Sequence, residues 1–222
     1  MVHVEGIVKL MEAAQDLRWL LSRGYPKEAS LSLVGNKFGL EKKLREVLKR
    51  AILPPQVAQK RREKALAPNA LKGQKVAVDG HNVLITLQTA LKGGFVFFCD
   101  DGFLRDISGV SRSFVPDGEC TRALDLVLET LAELQPEEVM FFLDAPLSKS
   151  RELAQNINLL FGPYGIKGRA EVLSFPERAL CQFEGVICTA DGHLLDLAER
   201  AFDLAGHIVR AKLKCSVLSF ES

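Results

Sequence analysis

Nothing in this 222-residue chain approaches the ~20 consecutive apolar residues that a membrane helix needs. Its first residues, Met-Val-His-Val-Glu-Gly, lack the basic-then-apolar order of an export leader. Export and membrane insertion are therefore not expected, and a cytoplasmic location is. The five cysteines, Cys99, Cys120, Cys181, Cys188 and Cys215, form no C-x-x-C pair. Scattered mostly within apolar runs, they read as buried free thiols in a reducing compartment, and their spacing argues against zinc. No G-x-x-x-x-G-K-[ST] loop occurs, and no glycine fingerprint follows Val78, which argues against nucleotide-dependent chemistry. Internal repeats and low-complexity tracts are missing as well.

What is present is an apolar content of 47%, sufficient for a substantial core, and a net charge of only +1. That average conceals a split. Residues 1–75 hold 16 Lys and Arg against 7 Asp and Glu, whereas residues 76–222 hold 13 against 21. The split predicts a basic binding module joined to an acidic one. The length suits a moderate domain plus a small one, divided at 1–70 and 71–222.

Apolar spacing predicts helices over residues 7–23, from Pro26 to a break near Gly35-Asn36, and over 41–51. Pro54-Pro55 ends the third, and 56–66 is helical by propensity. The pair flanking Gly35-Asn36 suggests a helix-turn-helix. Lys42, Lys43, Arg61 and Arg62 lie in its basic clusters and are candidate phosphate contacts. A solvated helix face explains such clusters equally well. Trp19, Tyr25 and Phe38 read as core or partly buried residues.

From Lys75 the texture changes to short apolar runs alternating with amphipathic segments. Strands are expected at 75–79, 139–143, 170–175, 186–189 and 207–210. Helices are expected at 82–91, 119–134, from Ser148 to about 160, and 194–204. Asp101-Gly102 between 95–99 and 103–107 is a hairpin signal. Strands separated by helices predict an α/β, Rossmann-like and mainly parallel sheet behind an all-α N-terminal domain. Ligands bind such sheets beyond the carboxyl ends of the strands.

Three aspartates fall there. They sit in Val76-Ala-Val-Asp79-Gly-His-Asn82, Met140-Phe-Phe-Leu-Asp144-Ala-Pro146 and Val186-Ile-Cys-Thr-Ala-Asp191-Gly-His193. Converging carboxylates repel one another and call for a cation, and oxygen ligation favours Mg²⁺ or Mn²⁺. Two such ions about 3.5–4 Å apart can activate water and stabilise the leaving oxygen of a phosphodiester. Each aspartate also has a plainer reading as a turn or helix-cap residue. Asp196, five residues beyond Asp191, is a further candidate, as are Glu119 and Asp125 on the long helix. Asn82 can cap the helix after Asp79. Ser148, Lys149 and Arg151 form a plausible phosphate seat at a helix start. Arg105, with Ser111-Arg112-Ser113, can close over a substrate.

At these residues the C-terminal part resembles the PIN-like nuclease superfamily, particularly its NYN-type branch. The matching pieces are Val-Asp79-Gly-His-Asn, Phe-Leu-Asp144 and Thr-x-Asp191. The whole chain also looks like an uncharacterised prokaryotic family that joins a small helical domain of unknown function to a PIN-like domain. The resemblance implies a Rossmann-like parallel sheet and metal-dependent endonucleolytic cleavage of RNA. Asp79, Asp144 and Asp191 would be the metal-binding acids, with Asp196 additional. The family's acid on the intervening helix has no unambiguous match; Glu119 is the first choice and Asp125 the second. The inserted 95–114 segment departs from the minimal PIN pattern. RNA is the expected partner, DNA the alternative polymer, and a homo-oligomer is compatible with the sequence. The competing readings are a noncatalytic RNA-binding or scaffold protein that keeps this fold, and a phosphohydrolase on another Rossmann-like sheet.

Overall fold

The computed structural model describes residues 4–107, 117–213, 215 and 217–221. Ser111-Arg112-Ser113 and the rest of 108–116 lie outside the described residues. The described chain is α/β, with a helical N-terminal region and a five-stranded parallel sheet. It divides into two compact units that interleave along the sequence. One comprises residues 1–63, 96–107 and 217–222; the other comprises 64–95 and 108–216. The division at 70 therefore does not match the units, because the hairpin and the C-terminal residues belong with the N-terminal helices.

In the larger unit, β1 (Lys75–Asp79) is the middle strand. Val76, Ala77 and Val78 have no solvent exposure. This is the pattern of a parallel strand covered on both faces. β4 (Glu138–Asp144) and β6 (Val186–Cys188) flank β1, and β5 (Gly168–Leu173) and β7 (Ala201–Phe202) form the edges. Counted within this sheet, the strand order is 3-2-1-4-5. The order reverses direction at β1, so the crevice beside β1 is a topological switch point.

Between the strands run α5 (Gly80–Leu91), α6 (Gly118–Leu134), α7 (Ser150–Leu160), α8 (Pro176–Cys181) and α9 (Gly192–Leu197). Ala77, Phe142 and Ile187 pack on one face of the sheet with Leu180 of α8 and Leu194 of α9. Side chains alternate along a strand. Asp79 and Asp144 therefore share the face of Ala77 and Phe142, which α8 and α9 cover. Gly80 does not adopt a positive φ. Its requirement is space, since a Cβ there would meet Leu143 Cδ2 at 2.5 Å and the Phe142 carbonyl at 3.1 Å.

Two expected elements differ. The strand predicted at 207–210 is part of a helix, α10 (Leu204–Ala211), whose buried Leu204, Ala205, Ile208 and Val209 follow helical spacing. A short apolar run does not reveal its own period. Asp203 caps that helix by accepting the Gly206 N–H at 2.8 Å. The helix expected over 194–204 stops at Leu197, and β7 follows.

In the smaller unit, α1 (Val4–Ser22), α2 (Lys27–Lys37), α3 (Lys42–Ala51) and α4 (Pro55–Lys64) pack with a three-stranded sheet. That sheet is ordered β3 (Leu104–Asp106), β2 (Val96–Phe98), β8 (Leu218–Ser219). The expected hairpin is present, with β2 and β3 antiparallel. α2 runs through Gly35-Asn36, and the break falls instead at Gly39, whose φ is +60°. Trp19 and Tyr25 are each 56% exposed, contrary to the core reading.

Asp101, expected as a turn residue, lies at the centre of a buried ionic cluster. Its carboxylate accepts two bonds from Arg105, both at 2.7 Å, and one from Arg61 Nη1 at 3.1 Å. Burial opposes ionisation, yet Arg105 and Arg61 hold the Asp101 carboxyl below its usual value. The same burial, with Arg105 and Arg61 nearby, pulls the Lys27 ammonium down to about 8. Asp100 accepts from Arg18 Nη2 at 2.6 Å and from the Leu53 N–H at 3.1 Å. Arg62 donates to the Asp100 carbonyl, and Arg50 donates to the Asp106 carbonyl at 2.9 Å. This corrects the candidate substrate contacts Arg105 and Arg61, which are buried and bound to Asp101. The unit as a whole carries 14 Lys and Arg against 11 Asp and Glu, so the hairpin offsets much of the N-terminal positive charge.

Removing one partner from a buried ion pair leaves a desolvated charge and costs about 3–5 kcal/mol. Asp101→Ala is expected to lower unfolding free energy by that amount. Urea unfolding followed by the fluorescence of Trp19, the single tryptophan, measures it. A loss below about 1 kcal/mol, the scale of an exposed pair, would contradict the structural role.

Candidate functional site

Asp79 ends β1 and precedes α5 without capping it through its side chain. It is 9% exposed, and Thr189 Oγ1 donates to its Oδ2 at 2.8 Å. Thr189 in turn accepts the Asp191 N–H at 3.1 Å. Asn82 accepts the Ala190 N–H at 3.0 Å on Oδ1. It therefore ties α5 to the loop after β6 rather than capping its own helix. Register explains the convergence. Val78 pairs with Cys188, which puts Thr189 level with Asp79, while Asp79 pairs with Phe142, which puts Asp144 two residues beyond.

Burial pushes the Asp79 carboxyl up to about 7. The Thr189 hydroxyl works the other way, and the charges of Asp144, Asp191 and Glu177 add to the rise. Asp144 and Asp191 thus both act on Asp79. Glu177 joins them from the first turn of α8, and sequence reading missed it because α8 itself was not anticipated. Pro176 at a helix start was the available signal.

Each outer aspartate also has a structural task. Asp191 caps α9, with Oδ1 accepting the N–H groups of His193 at 2.9 Å and Leu194 at 3.1 Å. Asp144 faces buried His81, whose Nδ1 lies 3.1 Å from Asp144 Oδ2 and accepts the Asp144 N–H at 3.0 Å. Ser150 Oγ stands 3.5 Å from Nε2, and its own hydroxyl faces the carbonyls of Asp144 at 2.6 Å and Leu147 at 2.8 Å. The Ser150–His81–Asp144 arrangement resembles a hydrolytic triad in residue types only. The serine is buried and donates to a carbonyl rather than to the histidine. Among the described residues, no three His, Cys, Asp or Glu side chains are grouped to hold a metal ion.

The other candidates lie elsewhere. Glu119 is exposed in the first turn of α6, whose cap is Asp117. Asp125 accepts a bond from the Tyr164 hydroxyl at 3.3 Å. Asp196 is exposed on α9, and its carbonyl accepts from Lys64 at 2.7 Å. Neither Glu119 nor Asp196 is among the charges that most shift Asp79. α7 begins at Ser150 with Lys149 as its left-handed cap, two residues later than expected. Ser148, Lys149 and Arg151 are exposed, as are Lys42, Lys43 and Arg62 in the smaller unit. Glu177, Arg178, Cys181, Gln182 and His193 line an open cleft of about 370 Å³ between α8 and α9.

Fold and site together define an α/β protein with a doubly wound parallel sheet and an acidic crest at the carboxyl edge of its central strand. The chain belongs to the family described as Domain of unknown function (DUF5616), whose model matches residues 68–207. A second family model, Protein of unknown function (DUF434), matches residues 9–64. The chain is also similar to "Uncharacterized protein MJ0935" of Methanocaldococcus jannaschii, at 29% identity over 188 residues, or 85% of this chain and 89% of that protein. No solved structure matches.

An acid whose folded-state pKa stands above its unfolded value carries no penalty below both values and the full penalty above the folded one. The stability of the metal-free protein should therefore fall as pH rises from about 4 to about 7, following the shift of Asp79 from 3.8. Asp79→Asn keeps an oxygen for the Thr189 hydroxyl and removes the charge. It is expected to add up to about 4 kcal/mol of stability above pH 7, at 1.36 kcal/mol per pKa unit, and little below pH 4. Melting curves across pH measure the difference, and a pH-independent effect of the substitution would overturn the assignment.

Proposed function

We propose that this chain is a divalent-cation-dependent endoribonuclease on a PIN-like sheet. The observation that carries the reading is the buried Asp79 carboxyl, held near neutrality among Asp144, Asp191 and Glu177 at the switch point of the sheet. Perturbed acids at such a point are where chemistry concentrates. The strand order 3-2-1-4-5 supports the Rossmann-like part of the reading. Asp79, Asp144 and Asp191 would hold Mg²⁺ or Mn²⁺, with Glu177 taking the place of the fourth acid in preference to Glu119, Asp125 or Asp196. The donor set fits, being hard oxygens, and a cation would favour the ionised form that burial now opposes. When bound, the cation supplies Lewis acidity toward a phosphoryl oxygen.

The chain's own residues do the positioning. Thr189 orients Asp79, Asn82 fixes the loop that carries Asp191, and His81 holds the backbone of Asp144. The exposed Lys149 and Arg151 offer phosphate contacts at the start of α7. Lys42 and Lys43 offer further ones in the smaller unit. A cytoplasmic setting accords with five unbridged cysteines. No helix among the described residues is long and apolar enough to cross a membrane.

A second reading, a noncatalytic RNA-binding protein that keeps the fold, draws on one specific observation. No three-residue metal group is formed among the described residues, and Asp79, Asp144 and Asp191 all have protein partners. The two readings separate in one assay with end-labelled RNA. The enzyme reading expects cleavage with Mn²⁺ that stops on chelation and falls at least ~100-fold in Asp79→Asn and Asp144→Asn, a loss on the scale of one transition-state charge contact. RNA binding unaffected by chelation, without turnover, would favour the second reading and sink the first.

A further inference from the structure

At the carboxyl edge of the sheet, one aromatic ring stands out in solvent. Phe175 is 66% exposed on the corner between β5 and α8. A single exposed Phe is ordinary on a protein surface. Three features set this one apart. The Arg178 guanidinium lies 5.5 Å from its ring centroid. The corner that carries it leaves the sheet at Leu173, the register partner of Asp144, where the Ala145 N–H donates to the Leu173 carbonyl at 2.9 Å. Glu177, two residues further, is one of the charges acting on Asp79, and both Glu177 and Arg178 line the open cleft beside α9.

An exposed ring with a stacked guanidinium has a specific chemical match. Unpaired bases stack on aromatic side chains and on arginine planes, and such stacking tolerates any base because every base has a π-face. The same arginine can reach the adjoining phosphate. A base paired within a duplex keeps its face covered by its neighbours. We propose that Phe175 and Arg178 form a stacking platform for one unpaired base of single-stranded RNA, placing the neighbouring phosphate against the acidic crest. This rests on the endoribonuclease reading for the identity of the polymer and deepens it. Arg178 also supplies positive charge where the crest alone would repel a phosphate. The platform selects single strands and leaves sequence unread.

The test uses the full chain in chelator, so that binding is scored without cleavage. A fluorescein-labelled oligouridylate is titrated by anisotropy. Phe175→Ala is expected to weaken binding about 5- to 150-fold, the range for loss of one stacked base. Phe175→Trp is expected to restore it. Arg178→Gln is expected to weaken binding and flatten its salt dependence by about one phosphate contact. Neither position is buried, and unchanged melting curves would show that the fold is intact. Binding of Phe175→Ala at wild-type affinity would overturn the proposal, as would wild-type protein that fails to bind the oligomer or prefers a duplex. The endoribonuclease reading fails separately. Phe175-dependent binding with no cleavage in Mn²⁺ supports the platform and sinks the enzyme. Cleavage as fast in Phe175→Ala as in wild type sinks the platform and supports the enzyme.

Discussion

The larger unit depends on one strand being dry on both faces. Val76, Ala77 and Val78 have no exposure, and β1 pairs in parallel with a neighbour on each side. A strand so enclosed hands its next residue to the sheet edge with little water around it. That residue is Asp79, and its carboxyl near neutrality is the direct result. The hydroxyl of Thr189, brought level by the β1–β6 register, is the compensation the protein itself provides. Nearby, His81 and Asn82 anchor the loops after β4 and β6 to the first turn of α5. The crest is therefore assembled around the start of one helix, which Gly80 allows to approach β4 closely.

Much of this was legible in the residues. The alternation of apolar runs and amphipathic segments marks β1, β4, β5 and β6, and each run ends near a polar residue that the parallel sheet brings to one edge. Asp79, Asp144 and Asp191 follow from that logic alone. Glu177 does not. It sits on a six-residue helix, too short for its spacing to register. Likewise, α10 hides in His-Ile-Val-Arg, where a buried helix and a strand look the same. The task of Asp191 as a cap was legible as its plainer reading, whereas that of His81 behind Asp144 depends on loop geometry, which spacing does not encode.

The smaller unit shows where charge counting misleads. An excess of Lys and Arg in the first 75 residues suggests a surface for polyanions. Arg18, Arg61 and Arg62 instead bond to Asp100 and Asp101 from far along the chain, and Arg50 to the carbonyl of Asp106. Guanidinium groups suit such buried forked contacts. Sequence separation conceals the neutralisation, because its two halves are written dozens of residues apart. The exposed cations that remain, such as Lys42 and Lys43, sit at the start of α3.

The interleaving of the two units bears on how the chain is made. The four helices are made before the hairpin, so Arg18 and Arg61 emerge without the acids that will neutralise them. Asp100 and Asp101 arrive only after β1 and α5 have been synthesised, and β8 arrives later still, to add its parallel pairing to β2. Contacts of this sequence separation slow folding, because the intervening loop must close before they contribute. Vectorial synthesis therefore cannot finish the first-made unit first. The smaller unit is completed only once β8 has been made.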